Sequence, residues 1–231
     1  EDEEYTFTNF LSKFETLRLF YRSPEVIERI TRETIEDAAR DNVRYMELRF
    51  TPVALSRAEG FPLGEVMDWV IEGTRKAETE FGVKTRLIAS VNRHENISLA
   101  EEVARLAAER VGKGILGLDL AGNEAKHSGR GFLGVFKEAK QAGLSLTIHA
   151  GEWGSAENVS EAMLYLGADR IGHGVRVLED PDITQLARDR QIPFEVCVTS
   201  NYQSGVFTSL TSHPLPRMLS HGLNITINTD D

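Results

Sequence analysis

Five side chains that could carry out metal-dependent hydrolysis follow or end apolar segments of this 231-residue chain. One apolar segment ends in His149, with Glu152 three residues later, and another ends at His173. A third is followed by the adjacent carboxylates Asp230 and Asp231. Imidazole and carboxylate groups bind divalent metals, and glutamate and histidine side chains transfer protons. These residue types are typical of a metal-dependent hydrolase, provided that the fold gathers the three segments at one place.

Each segment also has a purely structural interpretation. His149 could be a hydrogen-bonded core histidine, His173 a turn histidine, and Asp230 a helix cap. However, adjacent carboxylates repel each other unless a cation or a proton neutralises one of them. Glycines on both sides of His173 are unusual in a strand and leave room for a ligand. The coincidence of three such segments therefore favours one shared site.

The rest of the sequence alternates apolar, strand-like runs with amphipathic helical stretches, a pattern typical of repeated βα units and a parallel sheet. Glycines follow several of the helical stretches, where the C-terminus of a helix favours them. The pattern predicts helices at residues 63–81 and 99–110, and further helices that end near residues 41, 142 and 166. It predicts seven strands, at residues 45–50, 85–91, 115–120, 145–149, 170–172, 194–198 and 224–228.

Seven βα repeats without a glycine-rich nucleotide-binding loop favour an α/β fold of the (β/α)8 or TIM-barrel type over an open, doubly wound sheet. No linker divides the chain, so we interpret residues 1–231 as a single domain. The chain is slightly shorter than the roughly 250 residues typical of such a barrel. In a barrel the C-terminal ends of the strands carry the chemistry, and the predicted strands place His149, His173 and Asp230 there.

Composition excludes several other classes of protein. The chain carries 26 Lys and Arg against 36 Asp and Glu, a formal net charge of −10, and no block of basic residues, so we expect no nucleic-acid partner. No apolar run approaches the roughly 18 residues of a membrane span, and we expect no membrane association. A single cysteine, Cys197, and the lack of a signal segment predict a cytoplasmic protein. The sequence leaves the oligomeric state open.

Four short segments resemble, in their order and spacing, those of the adenosine deaminase family. They are HAGE at residues 149–152, IGHG at 171–174, TSN at 199–201 and NTDD at 228–231. Weaker similarity at residues 8–14 and 119–124 extends the resemblance over essentially the whole chain. The resemblance implies a metal-dependent (β/α)8 barrel that hydrolyses the 6-amino group of adenosine, and also of 2′-deoxyadenosine, to release ammonia and the corresponding inosine.

The resemblance also implies roles at the reacting atoms. His149 and Asp230 would bind one zinc ion per chain, although such ligands also suit iron, cobalt or nickel. Glu152 would donate a proton to N1 of the purine while a metal-activated water attacks C6, and His173 would orient or deprotonate that water. Attack on an aromatic carbon is difficult until the ring nitrogen is protonated and the water is acidified, so these roles are chemically coherent.

A second group of residues is implied to bind the substrate. Asp231 would hydrogen-bond N7 of the purine, and the backbone of Gly122 would contact N3. Phe10, Leu11 and Phe14 would form an apolar wall on the sugar side.

The sequence departs from the family pattern at its start. The family carries a His-x-His pair of metal ligands on its first strand, and this chain contains no His-x-His. Its other histidines do not fit that motif, and we interpret His213 and His221 as structural or surface residues. We therefore expect the first strand and a last C-terminal helix to be missing, with weak metal binding and poor turnover as the consequence.

Two alternatives remain open at this point. The same barrel could act on another aminopurine, such as adenine, AMP or a modified nucleoside, and a nucleotide substrate would need a cation such as Arg49 near the pocket. Alternatively, the chain could be a non-catalytic purine-binding remnant that has kept the barrel.

Overall fold

The computed structural model describes residues 5–230, except for the side chains of Phe7 and Leu11. Two predicted substrate-binding groups, the Asp231 residue and the Leu11 side chain, thus lie outside the described residues.

Seven strands, numbered β1 to β7 in chain order, form one parallel sheet in which each strand pairs with its sequence neighbours. This order is that of a (β/α)8 barrel with seven strands in place, and it confirms the predicted fold class. Within residues 5–230 no strand joins β1 to β7, and Ile227 on β7 is 71% exposed. The strands are β1 Tyr45–Phe50, β2 Lys84–Asn92, β3 Ile115–Ala121, β4 Ser145–Ala150, β5 Arg170–His173, β6 Pro193–Val196 and β7 Asn224–Ile227.

Ten α-helices occur in the described part of the chain, and the predicted ones end within two residues of the predicted positions. Helix α5 begins two residues earlier than predicted because the side chain of Asn96 caps it, accepting a hydrogen bond from the Leu99 N–H. The helices are α1 Phe7–Leu17, α2 Pro24–Arg40, α3 Pro52–Ser56, α4 Leu63–Phe81, α5 Ile97–Ala108, α6 Leu133–Gln141, α7 Ala156–Leu164, α8 Pro181–Asp189, α9 Val198–Gln203 and α10 Leu215–Ser220.

The prediction for the sixth strand was wrong at its end. Residues 194–198 are apolar enough to read as one strand, but β6 stops at Val196 and α9 begins at Val198. The N–H of Asn201 donates to the carbonyl of Cys197, which closes the first turn of this helix. The early turn carries Ser200 and Asn201 towards the mouth of the barrel rather than along its wall.

The strands separate an apolar layer from a polar one. Side chains such as Leu118, Leu146, Ile148 and Phe194 are fully buried and belong to the continuous core that the strands share with the surrounding helices. Alternate residues of the same strands point to the other face of the sheet. That inner face carries charged and polar side chains, and its upper rim carries the predicted site. None of the helices in residues 5–230 combines the length and apolar character needed to cross a membrane.

A tight turn after β5 shapes that rim. Gly174 has φ +65°, and a Cβ at this position would lie 2.2 Å from Cδ1 of Phe194. Gly167 has a similar φ of +70°, but a Cβ there would have no atom within 4 Å. A side chain at either glycine would therefore strain the backbone. The two positions differ only in whether neighbouring atoms lie where the added Cβ would be.

We expect Gly174→Ala to lower the free energy of unfolding by about 2–5 kcal/mol, because left-handed strain adds to overpacking against Phe194. Gly167→Ala, the matched control, should cost only the backbone strain of about 1–2 kcal/mol. Chemical denaturation of both variants measures the difference. Equal losses would contradict the close packing of Gly174 on Phe194.

Candidate metal and catalytic site

His149, His173 and Asp230 come from three strands and converge at one point of the barrel mouth. One potential ligand atom of each lies within 4.8 Å of the other two. The two imidazole rings are 5.1 Å apart, and Nε2 of His173 lies 4.0 Å from Oδ1 of Asp230. Glu152 completes the group, with Oε2 at 3.6 Å from the same Nε2. The structure therefore gathers four of the predicted residues in one site.

The ring of His149 is oriented from below by a buried carboxylate. Its Nδ1–H donates to Oδ1 of Asp119 over 2.9 Å, and Oδ2 of Asp119 accepts from Ser90 over 2.9 Å. Although burial opposes ionisation, the charges of His149 and Arg49 hold the pKa of Asp119 below its usual range. Burial acts to lower the pKa of His149, but Asp119 outweighs it and raises that pKa to about 9. A carboxylate on Nδ1 leaves Nε2 to face the site.

Asp119 belongs to a chain of alternating charges on the inner face of the sheet. Arg49 pairs with Asp119 at 3.7 Å and binds the carboxylate of Glu195, which is itself nearly buried. Arg170 then bridges Glu195 and Glu47. Each charge is compensated by a neighbour from another strand, so the network ties the strands together beneath the site. This network was not predicted from sequence, because its members lie up to 146 residues apart.

The segment that follows His149 is held by a second buried carboxylate, Glu124. Its two oxygens accept hydrogen bonds from the backbone N–H groups of Gly151, Glu152 and Trp153, over 2.6–2.8 Å. Arg93 donates to the carbonyl of His149 over 2.7 Å from the same side. Charge-assisted hydrogen bonds of this kind are short and strong. Glu124 was missed from sequence, although its place directly after the end of β3 was a usable signal.

The Glu152 side chain lies in a poorly solvated place, 14% exposed. Burial raises the pKa of Glu152 to about 8, although the positive charge of His149 opposes the shift. The carboxyl group is thus predominantly protonated at neutral pH and can donate a proton. This is the property that the sequence resemblance required of Glu152.

Two site residues adopt backbone conformations that side chains normally avoid. His173 has φ +61° and Asp230 has φ +77°. Non-glycine residues rarely occupy this region, and such strain is concentrated at functional sites. Ser200 stabilises Asp230 by donating to its Oδ2 over 2.6 Å, which leaves Oδ1 on the side of His173.

The donor set fits a divalent transition metal. His149 presents Nε2 and Asp230 presents Oδ1, and neutral imidazole with carboxylate suits zinc as well as iron, cobalt or nickel. His173 lies close enough to be a third ligand. Binding at Nε2 of His149 replaces the proton there, since metal ligation needs the neutral ring.

Phe10, Phe14 and Gly122 are the predicted substrate-binding residues whose side chains or backbone the structure describes. Phe14 lines a cavity of about 330 Å³ between α1, α2 and β1 that also includes Asp230. Phe10 packs edge-on against Phe14, with ring centroids 5.6 Å apart. Gly122 follows β3 with φ +93°, and a Cβ there would lie 3.3 Å from the backbone N of Arg93.

Comparison with known proteins identifies the family. The profile of the adenosine deaminase family matches residues 1–231. The chain belongs to the adenosine deaminase family. It is similar to the adenosine deaminases of Clostridium botulinum strain Langeland (38% identity over 230 residues, 100% of this chain and 68% of that protein) and Klebsiella pneumoniae strain 342 (40% over 224 residues, 96% and 67%). The adenosine deaminase family assignment makes the chain a hydrolase.

Solved structures of related enzymes share the fold but differ in the substrates for which they are named. An adenine deaminase from Arthrobacter aurescens superposes with a TM-score of 0.91 at 32% identity, over 99% of this chain and 69% of that one. An Arabidopsis N6-mAMP deaminase gives 0.87 at 29% identity, over 98% and 69%. A Burkholderia ambifaria amidohydrolase with bound zinc gives 0.86 at 29%, over 94% and 62%.

We expect Glu124→Gln to lower the free energy of unfolding by about 2–3 kcal/mol, because an amide replaces a charged acceptor of three hydrogen bonds. The amide proton resonances of Gly151, Glu152 and Trp153 should move upfield in the same variant. Glu101→Gln, on the exposed face of α5, is the control and should change stability by less than about 0.5 kcal/mol. Unchanged amide resonances in Glu124→Gln would contradict this role of Glu124.

Proposed function

We propose that this chain hydrolyses adenosine, and also 2′-deoxyadenosine, to ammonia and the corresponding inosine, with zinc as its metal. The observation that carries the proposal is the position of the poorly exposed Glu152 carboxyl group beside the cluster of His149, His173 and Asp230, with Oε2 at 3.6 Å from Nε2 of His173. A proton donor and a metal-binding group at one barrel mouth are what hydrolysis of an aminopurine needs. The named adenosine deaminases at 38–40% identity support the choice of substrate.

In this mechanism His149 and Asp230 hold the metal, and Asp119 keeps the His149 ring in the required orientation. A divalent metal in this position lowers the pKa of water and so supplies a nucleophile at neutral pH. Glu152 donates its proton to N1 of the purine, which withdraws electrons from C6 and promotes attack there. The C6–N6 bond then breaks, and the amino group leaves as ammonia after taking up one proton of the water. The other proton of the water returns Glu152 to its protonated form, and the proton on N1 stays in the product. His173, whose Nε2 lies 3.6 Å from Glu152 and 4.0 Å from Asp230, would orient or deprotonate the attacking water.

The substrate-binding roles follow the sequence resemblance. We propose that the backbone of Gly122 contacts purine N3 and that Asp231 hydrogen-bonds N7. Phe10, Leu11 and Phe14 form the apolar wall towards the sugar. The position of Phe14 in the cavity that contains Asp230 supports its part in this assignment.

The surroundings of Arg49 favour a nucleoside over a nucleotide. This guanidinium was the candidate for a phosphate-binding cation, but it binds Glu195 and Thr147 and pairs with Asp119 on the inner face of the sheet. Its charge is already compensated, so a phosphate would have to displace a buried carboxylate. Because similar structures include adenine and N6-mAMP deaminases, the comparison of substrates is the decisive experiment.

With zinc in excess, we expect kcat/KM to be at least about tenfold higher for adenosine than for adenine, AMP or N6-methyl-AMP, which corresponds to about 1.4 kcal/mol of selectivity. Spectrophotometric turnover of the four compounds under identical conditions measures it. A higher kcat/KM for one of the other three compounds would identify that compound as the substrate instead. Tight adenosine binding without turnover would favour the non-catalytic alternative.

Glu152→Gln should lower kcat for adenosine in the same assay by about 10²–10⁴-fold, since it removes the proton donor.

We also expect Asp119→Asn to weaken zinc binding by about 10–100-fold, because the carboxylate that orients His149 is lost. Titration calorimetry with zinc measures the effect, and Asp182→Asn, at an exposed position in the first turn of α8, is the control. Equal affinities in the two variants would show that Asp119 does not support the metal ligand.

A further inference from the structure

His213, which the sequence suggested was structural or on the surface, is a buried residue connected to the site. It lies in the segment that connects α9 to α10, is 6% exposed, and packs against Phe207 with ring centroids 5.0 Å apart. Both of its ring nitrogens have partners. One partner is a backbone group and the other is Asn201, which is fully buried.

The backbone determines which nitrogen of His213 carries hydrogen. The N–H of Leu215 donates to Nδ1 over 3.1 Å, so Nδ1 is an acceptor and carries no hydrogen. The neutral ring then has its hydrogen on Nε2. Nε2 lies 3.2 Å from Oδ1 of Asn201 and donates to it.

This contact determines the orientation of the Asn201 amide. With Oδ1 towards His213, the amide NH₂ group faces the site, 3.3 Å from Oε1 of Glu152 and 3.1 Å from Nδ1 of His173. The inverted amide would place its NH₂ group against the Nε2–H of His213, two donors facing each other. A single orientation therefore satisfies the buried groups.

The same reasoning extends to His173. Its Nδ1 accepts from Asn201, so the hydrogen of the neutral ring is on Nε2. Nε2 is the nitrogen that faces Glu152 and Asp230. A nitrogen that carries hydrogen can donate a hydrogen bond, but it cannot accept a proton or bind a metal.

We propose that His213, acting through Asn201, is a positioning residue that keeps the hydrogen of His173 on Nε2 and so makes His173 a hydrogen-bond donor in the site. Of the two roles implied for His173, orienting the water and deprotonating it, only the first is compatible with this arrangement. His173 is for the same reason not a third metal ligand. This relay, from His213 through Asn201 to His173, is inferred from the hydrogen bonds of the folded chain. Only the reaction that it serves rests on the proposed function.

Long-range ¹H–¹⁵N spectra of the imidazole nitrogens of the full chain test the proposal without any turnover. We expect the Nε2–H tautomer for both His213 and His173. Added zinc should change the signals of His149 and leave the Nε2–H of His173 in place. Hydrogen on Nδ1 of His173, or loss of its Nε2–H on addition of zinc, would overturn the proposal.

Variants of His213 test the connection itself. In His213→Ala the Asn201 amide loses its anchor, so His173 should show a mixture of tautomers, whereas His213→Gln, which can donate to Oδ1, should restore the Nε2–H form. The exposed His127→Ala is the control. If adenosine is turned over, His213→Ala should lower kcat by about 10–100-fold with little change in KM.

An unchanged tautomer of His173 in a folded His213→Ala would refute the relay. If that variant does not fold, His213→Gln and the wild-type tautomers still decide the question. Absence of turnover in every protein would count against the proposed deamination alone, because the tautomers are read independently of it.

Discussion

Compensation of buried charge on the inner face of the sheet is the constraint on which the site depends. Arg49 lies between Glu195 and Asp119, and Asp119 in turn orients His149. Removing one member of such a network leaves an unpaired charge in a poorly solvated place, which is strongly destabilising. The strands and the His149 ring are therefore stabilised by the same interactions. That coupling explains why so many ionised groups are tolerated where most barrels have packed side chains.

Two different kinds of group hold Glu152: a carboxylate binds its backbone and an amide contacts its side chain. The carboxylate of Glu124 holds the backbone from residue 151 to residue 153, and the amide of Asn201 contacts the Glu152 carboxyl group. Burial raises the pKa of that carboxyl group to about 8, which favours its protonated form. Strained backbone at His173 and Asp230 is maintained by the same surroundings. Hydrogen bonds from several elements thus hold Glu152 and Asp230 in place at the mouth of the barrel.

The proteins similar to this chain include enzymes named for different purines. The structural differences that separate their substrates must lie around the common centre. In this chain the charge of Arg49 on the inner face is compensated by Glu195, and Phe14 of α1 lines the cavity that includes Asp230. Under the proposed function, selection among adenosine, adenine and nucleotides would be made by the walls of the pocket rather than by the cluster of His149, His173 and Asp230.

The sequence alone determined the strand-like runs and the barrel order, because local hydrophobic pattern carries that information. Its short motifs also pointed to His149, Glu152, His173 and Asp230, which the structure brings together. It did not determine where β6 ends, because the turn at Cys197 lies within an apolar run. Nor did it reveal the roles of Glu124, Arg49 or His213. These residues act through contacts with distant parts of the chain, and only the tertiary structure decides which charges and hydrogen-bonding groups meet.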